Sequence, residues 1–243
     1  MRRIVYLFIF IIAIGLPVIA QKKKPENLQM DIPSVYLKSS FKIYDKLQKE
    51  IWSYAELGFL ESKSSKVLQD HLKNNSFTIE AGVAGMPTAF VATYGSGTPV
   101  IGILAEFDAL PGLSQDTVPY KKPLLEGGNG HGCGHAVLGV GSSAGAIAIR
   151  KWLEETGTPG TIKVFGSPAE EYGGGKVYLV REGFFKDVDI VLAWHPSIKN
   201  AVKRGTGLAI QMIDFSFYGK SSHASVAPEK GCSALDAVEA FNY

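Results

Sequence analysis

The spacing of apolar residues indicates helices in the first part of the chain. Between residues 34 and 75, apolar side chains recur every three or four positions, first at Ile43, Leu47, Ile51, Trp52 and Ala55 and then at Val67, Leu68 and Leu72. This period places apolar side chains on one face of a helix. The pattern predicts two amphipathic helices, separated by a break near Gly58.

After residue 75 the sequence pattern changes to short runs of β-branched and aromatic residues, bounded by glycine and proline. The runs TAFVATYG, VIGILAEFDALPG, TIKVFGS and DIVLAWH predict strands. The small apolar residues from 134 to 153 form a run long enough for a buried helix, and GGKVYLVREGFF lies where a crossover helix is expected. Strands that alternate with helices predict an α/β layered domain, with a central mixed sheet flanked by helices, over residues 34–205.

The first 33 residues have a different character. A charged start, an apolar run from Ile4 to Leu16, and small residues before a cut after Ala20 are typical of a signal peptide over residues 1–20. A retained membrane anchor is the alternative, because residues 4–20 almost reach the length of a bilayer span. We expect export to the periplasm or the medium, a polar linker at residues 21–33, and no stable membrane association after cleavage.

Composition and charge exclude little except a nucleic-acid partner. The 243 residues, 46% of them hydrophobic, suffice for one large domain or a domain and part of another. The net charge is only +2, and much of the basic excess lies near the amino terminus, so no nucleic-acid binding is expected.

Two cysteines, Cys133 and Cys232, allow two interpretations. In an exported protein they could form a disulfide. Cys133, however, lies between His131 and His135, and a metal-bound thiolate is withheld from oxidation. We favour a metal-bound Cys133 and a free or buried Cys232.

Residues that can bind metals follow the ends of separate predicted elements. Three strands are each followed by such residues: Glu106 and Asp108, Glu170 and Glu171, and His195. The glycine-rich run GHGCGH, which contains Cys133 and His135, precedes the small-residue helix. Because open α/β sheets bind ligands beyond the carboxyl ends of their strands, we expect a metal site at this edge.

The adjacent acids Glu170 and Glu171 suggest two different tasks. Their side chains cannot face the same way, so one can coordinate a cation while the other takes a proton from water. A solvated acidic turn is the alternative. The preceding strand and the three glycines at 173–175 favour close approach of a ligand instead. A metal-assisted hydrolase is the interpretation that uses all of these features.

Several of these motifs also resemble a known family. LAEFDALPGLSQ, GHGCGHAVLG, GSPAEEYGGGK, LVREGFFKDVD, AWHP and GKSSHASVAPEKGCSALDAVEA are similar to the dinuclear-metal amidohydrolases and metallopeptidases that include carboxypeptidase G, aminoacylase and the aminobenzoyl-glutamate hydrolases. The similarity runs from about Val35 to the end of the chain. It implies hydrolysis of amide bonds in N-acyl amino acids or small dipeptide-like substrates, and a homodimer in the complete form.

The resemblance implies a role for each matching residue. It assigns four ligands to two divalent ions, zinc or manganese: Cys133, His135, Glu171 and His195. Glu170 corresponds to the general base, Asp108 to an aspartate that supports the site, and His223 to a lid histidine that polarises the scissile carbonyl of a partner subunit's substrate. His131 matches no ligand and is expected behind the ligands or at the surface.

Two departures from the family pattern leave the activity of this chain open. Ala136 stands where the family usually has Asp or Asn, and the family's last histidine ligand lies far downstream of Tyr243. Residues 206–243 are expected to be the start of a truncated α+β lid, with a strand in GLAIQMIDFSFYG and a helix that begins at Ser233. An inactive fragment, or a module that binds peptide or metal without turnover, is the alternative. We expect the 243-residue chain to be inactive alone.

Overall fold

The computed structural model describes residues 28–202 and 205–243. The predicted signal peptide and the first part of the predicted linker lie outside the described residues. The chain divides into two compact units, Met1–Ile198 and Lys199–Tyr243, which are described separately. This division falls earlier than the boundary predicted at residue 205.

The first unit contains a mixed five-stranded sheet. Its strands are β1 Thr78–Ala81, β2 Phe90–Ser96, β3 Val100–Ala105, β4 Gly160–Gly166 and β5 Ile190–Leu192, in the spatial order β1-β2-β4-β3-β5. The strands β3, β4 and β5 run parallel, whereas β2 is antiparallel to both β1 and β4. The predicted α/β class with a mixed central sheet is confirmed.

Helices cover both faces of the sheet. They are α1 Leu28–Tyr54, α2 Ser62–Asn74, α3 His135–Thr156 and α4 Gly175–Arg181. The main core lies between α1, α2, α3 and one sheet face, where Ile51, Leu68 and Ile147 are fully buried. A smaller core on the other face includes Phe165 and Leu179. Among the described residues, no helix is both long enough and apolar enough to span a membrane.

The parallel register brings the ends of β3 and β4 together. Ala105 pairs with Gly166, so the residues that follow each strand leave the sheet side by side. Helix α3 approaches this end closely, because a Cβ at Gly139 would lie 2.7 Å from the carbonyl oxygen of Glu106. Gly139 therefore lets α3 pack directly against the edge where the donor residues were predicted.

Helix α1 begins earlier than the sequence indicates. It starts at Leu28, so residues 28–33 of the predicted linker are helical and Pro33 lies inside the helix. Pro33 is the sixth residue of α1, beyond the first turn, so its missing N–H leaves one helical hydrogen bond unmade without ending the helix. The predicted break after α1 is present, since Ala55 and Phe59 have positive φ values of 43° and 64°.

The second unit has less regular structure than predicted. Helix α5 spans Ala234–Asn242, and the Ser233 side chain caps it by accepting the Asp236 N–H at 3.1 Å, as expected for a helix begun at Ser233. The strand predicted in residues 207–219 is absent from the described part of this unit, which has only an isolated bridge between Lys220 and Cys232. A strand requires a neighbour for its backbone hydrogen bonds, and none lies alongside it there.

Candidate metal centre

The carboxyl edge of the parallel strands collects most of the predicted donors. Glu106 and Asp108 follow β3, Glu170 and Glu171 follow β4, and His195 follows β5. Cys133 and His135 stand at the start of α3, which packs on the same edge. The structure thus brings six predicted site residues and Glu106 into one region of the first unit.

Two groups of side chains in this region could each hold a metal ion. Cys133, His135 and His195 form one group, and Glu106, His135 and Glu170 form the other. Within each group, one ligand atom per residue lies within 4.8 Å of the others. His135 belongs to both groups, so the two groups are adjacent, and its single free nitrogen can serve an ion in one of them.

The Cys133 side of the site depends on a left-handed glycine. Gly134 has φ 84°, and a Cβ there would lie only 3.0 Å from the Pro196 ring. This conformation favours glycine because other residues are strained in it. The turn carries Cys133 towards His195, and the Cys133 Sγ lies 3.3 Å from the His195 Nε2.

Hydrogen bonds orient the His195 ring for coordination. Its Nδ1 lies 2.9 Å from the Pro196 carbonyl oxygen, which can only accept, so Nδ1 carries the proton. The lone pair is then on Nε2, the atom that faces Cys133. The preceding residue is anchored as well, because the Trp194 indole donates to Ser142 on α3 at 3.1 Å.

Asp108 supports two of the predicted ligands at once. One carboxylate oxygen lies 2.9 Å from the His135 Nδ1, and the other accepts the Glu171 backbone N–H at 3.0 Å. A carboxylate that holds Nδ1–H leaves Nε2 free to bind a metal, an arrangement common around metal-binding histidines. Asp108 thus contacts both predicted ligands, and its supporting role stays a prediction.

Asp108 and His135 shift each other's protonation. Burial raises the pKa of Asp108, but the hydrogen bonds from His135 and from the Glu171 backbone outweigh it, and the net pKa lies below the ordinary value. Burial likewise lowers the pKa of His135, but Asp108 and the nearby Glu106 and Glu171 raise it above its ordinary value. Each group thus favours the charged form of the other, and metal binding at the His135 Nε2 would require a neutral ring.

Among the described residues, three buried polar atoms at this edge have no hydrogen-bond partner. They are the His135 Nε2, the Glu171 Oε1 and the Glu106 Oε2. The His135 Nε2 lies 3.1 Å from the Glu106 Oε2 and 4.0 Å from the Glu171 Oε1. Buried polar atoms are almost always satisfied. A divalent cation among these atoms would satisfy them, so the residues present fit a metal centre.

The charges around the site also favour a cation. Four carboxylates meet there, and Lys176 is the cation that pairs with one of them, at 2.5 Å from Glu106. Burial, Glu171 and Glu170 raise the pKa of the Cys133 thiol to about 11, which leaves the thiol neutral. A bound metal ion would reverse this effect, because coordination stabilises the thiolate.

The two adjacent acids differ in their surroundings. The Glu171 side chain is 16% exposed, and the Glu170 side chain is 39% exposed with an oxygen 3.7 Å from the His135 Nε2. Glu171 thus faces the buried donors, while Glu170 is open to water and still close to them. Glu170 belongs to one of the two candidate ligand groups and Glu171 to neither, so the division of tasks expected for the pair stays a prediction.

The sequence interpretation named Glu106 as a possible metal donor without giving it a specific role, and it did not name Lys176. Glu106 is 8% exposed and lies in contact with His135. Its position directly after β3 had grouped it with Asp108, two residues further along the chain. The pairing with Lys176, which lies on α4, depends on the tertiary fold.

Like Asp108 and Glu171, three further candidates lie outside the two ligand groups, namely His131, His223 and Cys232. The His131 Nε2 is 3.2 Å from the Ile51 carbonyl oxygen, so this ring contacts α1, and burial lowers its pKa. His223 belongs to the second unit, is exposed, and accepts the Ser225 N–H at 3.3 Å, so its role stays a prediction. Cys133 and Cys232 are both free thiols, and Cys232 is exposed.

The fold and the donor cluster define an α/β protein with a candidate dinuclear metal centre. Residues 102–239 match the Peptidase family M20/M25/M40. The chain belongs to this family, which confirms the resemblance seen in its motifs.

Individual relatives agree with this assignment. The chain is 43% identical to a p-aminobenzoyl-glutamate hydrolase subunit of Escherichia coli (strain K12) over 80% of this chain and 41% of the relative. It is 34% identical to the Xaa-Arg dipeptidase of Mus musculus over 79% of this chain and 43% of that protein. The chain thus spans less than half the length of these relatives.

A solved structure supports the fold. The YXEP protein of Bacillus subtilis, a dinuclear metal binding peptidase from the M20 family, superposes with a TM-score of 0.55 at 24% sequence identity. The match covers 66% of this chain and 44% of that structure. At this identity the likeness concerns the fold of the first unit.

Proposed function

We propose that this chain provides the metal-binding catalytic part of a hydrolase that cleaves amide bonds in N-acyl amino acids or small peptides. One observation carries the proposal: the unpartnered atoms of His135, Glu171 and Glu106 converge beside Cys133 and His195 at the carboxyl edge of the sheet. This is the donor set and the place that a metal-dependent hydrolase of an α/β fold requires.

The metal ligands in this proposal are Cys133, His135, Glu171 and His195, with Glu106 as an additional candidate. Thiolate and imidazole donors favour zinc, and the carboxylates also admit manganese, so two divalent ions of either kind are proposed. When bound, such ions lower the pKa of water and polarise a carbonyl oxygen.

Glu170 is proposed as the general base. It is the acid of the pair that reaches solvent, and it lies within 4 Å of the ligand His135. Its carboxylate can take a proton from the attacking water and later give it to the leaving amine. Asp108 takes no proton in this scheme, because its two oxygens are held by His135 and by the Glu171 N–H.

The proposed substrate is an N-acylated amino acid of the aminobenzoyl-glutamate kind. The Escherichia coli relative is named a p-aminobenzoyl-glutamate hydrolase subunit, and the mouse relative an Xaa-Arg dipeptidase. Both names describe an amide bond whose leaving group is an amino acid. This shared chemistry supports the substrate class, and the particular acyl group is left to experiment.

A panel of purified substrates tests the proposal. The chain, and any longer polypeptide from the same gene, is freed of metal with a chelator, reloaded with zinc or manganese, and given p-aminobenzoyl-glutamate, hippurate or an Xaa-Arg dipeptide. We expect release of the free amino acid only with metal and only from a form that carries a complete lid. Metal binding without hydrolysis by every form would favour a binding protein instead.

Dimerisation and the role of His223 form a further part of the proposal. In a homodimer, His223 of one subunit would polarise the carbonyl at the other subunit's metal centre. Mixing His223→Ala chains with Glu170→Gln chains should then restore activity, because a mixed dimer contains one complete site. Exchanged heterodimers that stay inactive, although both parents fold and bind metal, would contradict this sharing.

Export after cleavage at Ala20 is likewise proposed and can be checked by the amino-terminal sequence of the mature protein.

A further inference from the structure

Glu61 is a buried acid that the site described above does not use. It directly precedes α2 and is 0% exposed. One carboxylate oxygen accepts the Ala169 backbone N–H at 2.7 Å, and the other accepts the Thr88 hydroxyl at 2.9 Å. A carboxylate is costly to bury unless its hydrogen bonds are strong. Glu61 thus binds the backbone of Ala169, the residue directly before Glu170, and this contact suggests a role at the site.

Ala169 has a backbone conformation that alanine rarely adopts. Its φ is 54°, in the left-handed region that a Cβ disfavours. Its carbonyl oxygen accepts the N–H groups of Gly173 and Gly174 at 2.9 and 2.7 Å, which closes the turn that contains Glu170 and Glu171. A disfavoured conformation persists only where the surroundings enforce it. The hydrogen bond to Glu61 is one such constraint.

A second acid holds the other end of the same turn. Asp108 accepts the Glu171 N–H, as Glu61 accepts the Ala169 N–H. Two buried carboxylates thus fix the backbone on both sides of Glu170. With both peptide groups held, Glu171 lies among the buried donors, and Glu170 lies beside them with more of its side chain open to water.

Residues 58–61 also pack closely against this turn. A Cβ at Gly58 would lie 2.8 Å from the Ala169 Cβ, and a Cβ at Gly173 would lie 2.3 Å from the Phe59 ring. Both glycines permit approaches that a larger residue would block. Residues 58–61 therefore form a buttress against the turn, with the Glu61 carboxylate as its polar contact.

We propose that Glu61 is a positioning residue for the metal-dependent hydrolysis: through the Ala169 N–H it holds the Ala169–Glu171 turn so that Glu171 faces the cation and Glu170 faces the attacking water. The effect of Glu61 on hydrolysis rests on the proposed function. The hydrogen-bonded placement of Glu61 can be tested without any turnover.

The decisive comparison uses three variants of the chain. Glu61→Ala removes the acceptor from Ala169. Glu61→Gln keeps an amide oxygen for the Ala169 N–H and an amide N–H for the Thr88 hydroxyl, so it should behave like the parent. Thr88→Val is the matched control, because Thr88 is 5% exposed and the change removes the other hydrogen bond of Glu61 while sparing Ala169.

Hydrogen exchange of peptides that cover residues 168–175 is the first measurement. In Glu61→Ala we expect exchange in this turn to accelerate roughly 10- to 100-fold, the scale of losing one hydrogen bond to a charged group. Glu61→Gln and Thr88→Val should leave these amides close to the parent rate. Equal acceleration in Glu61→Ala and Thr88→Val would overturn the proposal, because the effect would then be general loosening.

Cobalt binding, followed through the absorption of the cobalt–thiolate bond, is the second measurement. Glu61→Ala should weaken Co²⁺ binding about 10- to 100-fold, as expected for loss of a residue that supports a ligand. Glu61→Gln should restore it. If Glu61→Ala does not fold, Glu61→Asp, whose carboxylate is one methylene shorter, replaces it with the same expected direction.

The outcomes separate this inference from the proposed function. If the parent chain binds cobalt and Glu61→Ala binds it equally well, the positioning role is wrong and the metal centre stands. If the parent chain binds no cobalt, the proposed function fails, and the exchange rates alone decide whether Glu61 holds the turn.

Discussion

The two sides of the metal centre are built differently. Cys133 and His195 come from loops, and His195 is exposed. Glu106 and Asp108 follow β3 directly and are buried, at 8% and 1% exposure. The thiol and imidazole are positioned by a glycine turn and by hydrogen bonds to their loops, whereas the two carboxylates are positioned by the end of a strand. In the proposed function both sides supply metal ligands, and proton transfer depends on Glu170, the acid on the carboxylate side that is open to water.

The largest expected effect tests the carboxylate side. Glu170→Gln should lower turnover about 10²- to 10⁴-fold, the usual contribution of a general base, while the metal stays bound. The measurement is the rate of amide hydrolysis together with metal content, in a form that shows turnover. Glu171→Gln is the matched variant and should lose metal. Loss of metal from Glu170→Gln, with normal activity per remaining ion, would mean that the two roles are exchanged.

A smaller effect is expected on the thiol side. Cys133→Ala should weaken zinc binding by more than the roughly 10- to 100-fold that follows loss of a supporting residue, because a ligand itself is removed. Competition with a zinc chelator measures the affinity. Cys232→Ala serves as control, since this exposed thiol lies in the second unit. Equal losses in the two variants would remove Cys133 from the ligand set.

The smallest expected effect is on the stability of the metal-free chain. It comes from Asp108 and His135, the pair that links the two sides. The lowered pKa of Asp108 stabilises the fold above its ordinary value of 3.8, and this contribution is lost as the pH falls through the lowered pKa. The raised pKa of His135 stabilises the fold below its ordinary value of 6.5, and this contribution is lost as the pH rises through the raised pKa. The pair should therefore contribute most between pH 3.8 and 6.5.

Urea unfolding across this pH range checks the expectation. The parent should lose about 1–3 kcal/mol of its free energy of unfolding on either side of the window, the scale of a hydrogen bond between charged groups. Asp108→Asn removes the carboxylate and should flatten the profile. An unchanged profile in Asp108→Asn would show that other groups set the pH dependence.

The sequence predicted the elements whose patterns reflect burial. The runs that became β3, β4 and α3 are continuous and apolar because both faces or most faces of these elements are covered. The carboxyl ends of the predicted strands indicated where the donor residues lie, since the residues that follow parallel strands lie at one edge of the sheet. The class of fold and the region of the site could therefore be predicted without coordinates.

Other features depend on partners that no local pattern reveals. Strand β1 was missed because its exposed residues lack an apolar alternation, and it exists through pairing with β2. The strand expected at residues 207–219 of the second unit is the opposite case. Its apolar pattern predicted a strand, but the described residues there have no neighbouring strand to pair with. The contact between Glu61 and Ala169 joins residues 108 positions apart, so its value for the site emerges only in the folded chain.

The separation of Cys133 from His195 also sets the order in which the centre can form. The two residues are 62 positions apart, which at about 5–20 residues per second of synthesis is roughly 3 to 12 s. During this interval the thiol has emerged, but the imidazole that will face it has not. A cation captured earlier would be held by an incomplete set of donors. We therefore expect stable metal loading only after β5, the strand before His195, has paired with β3.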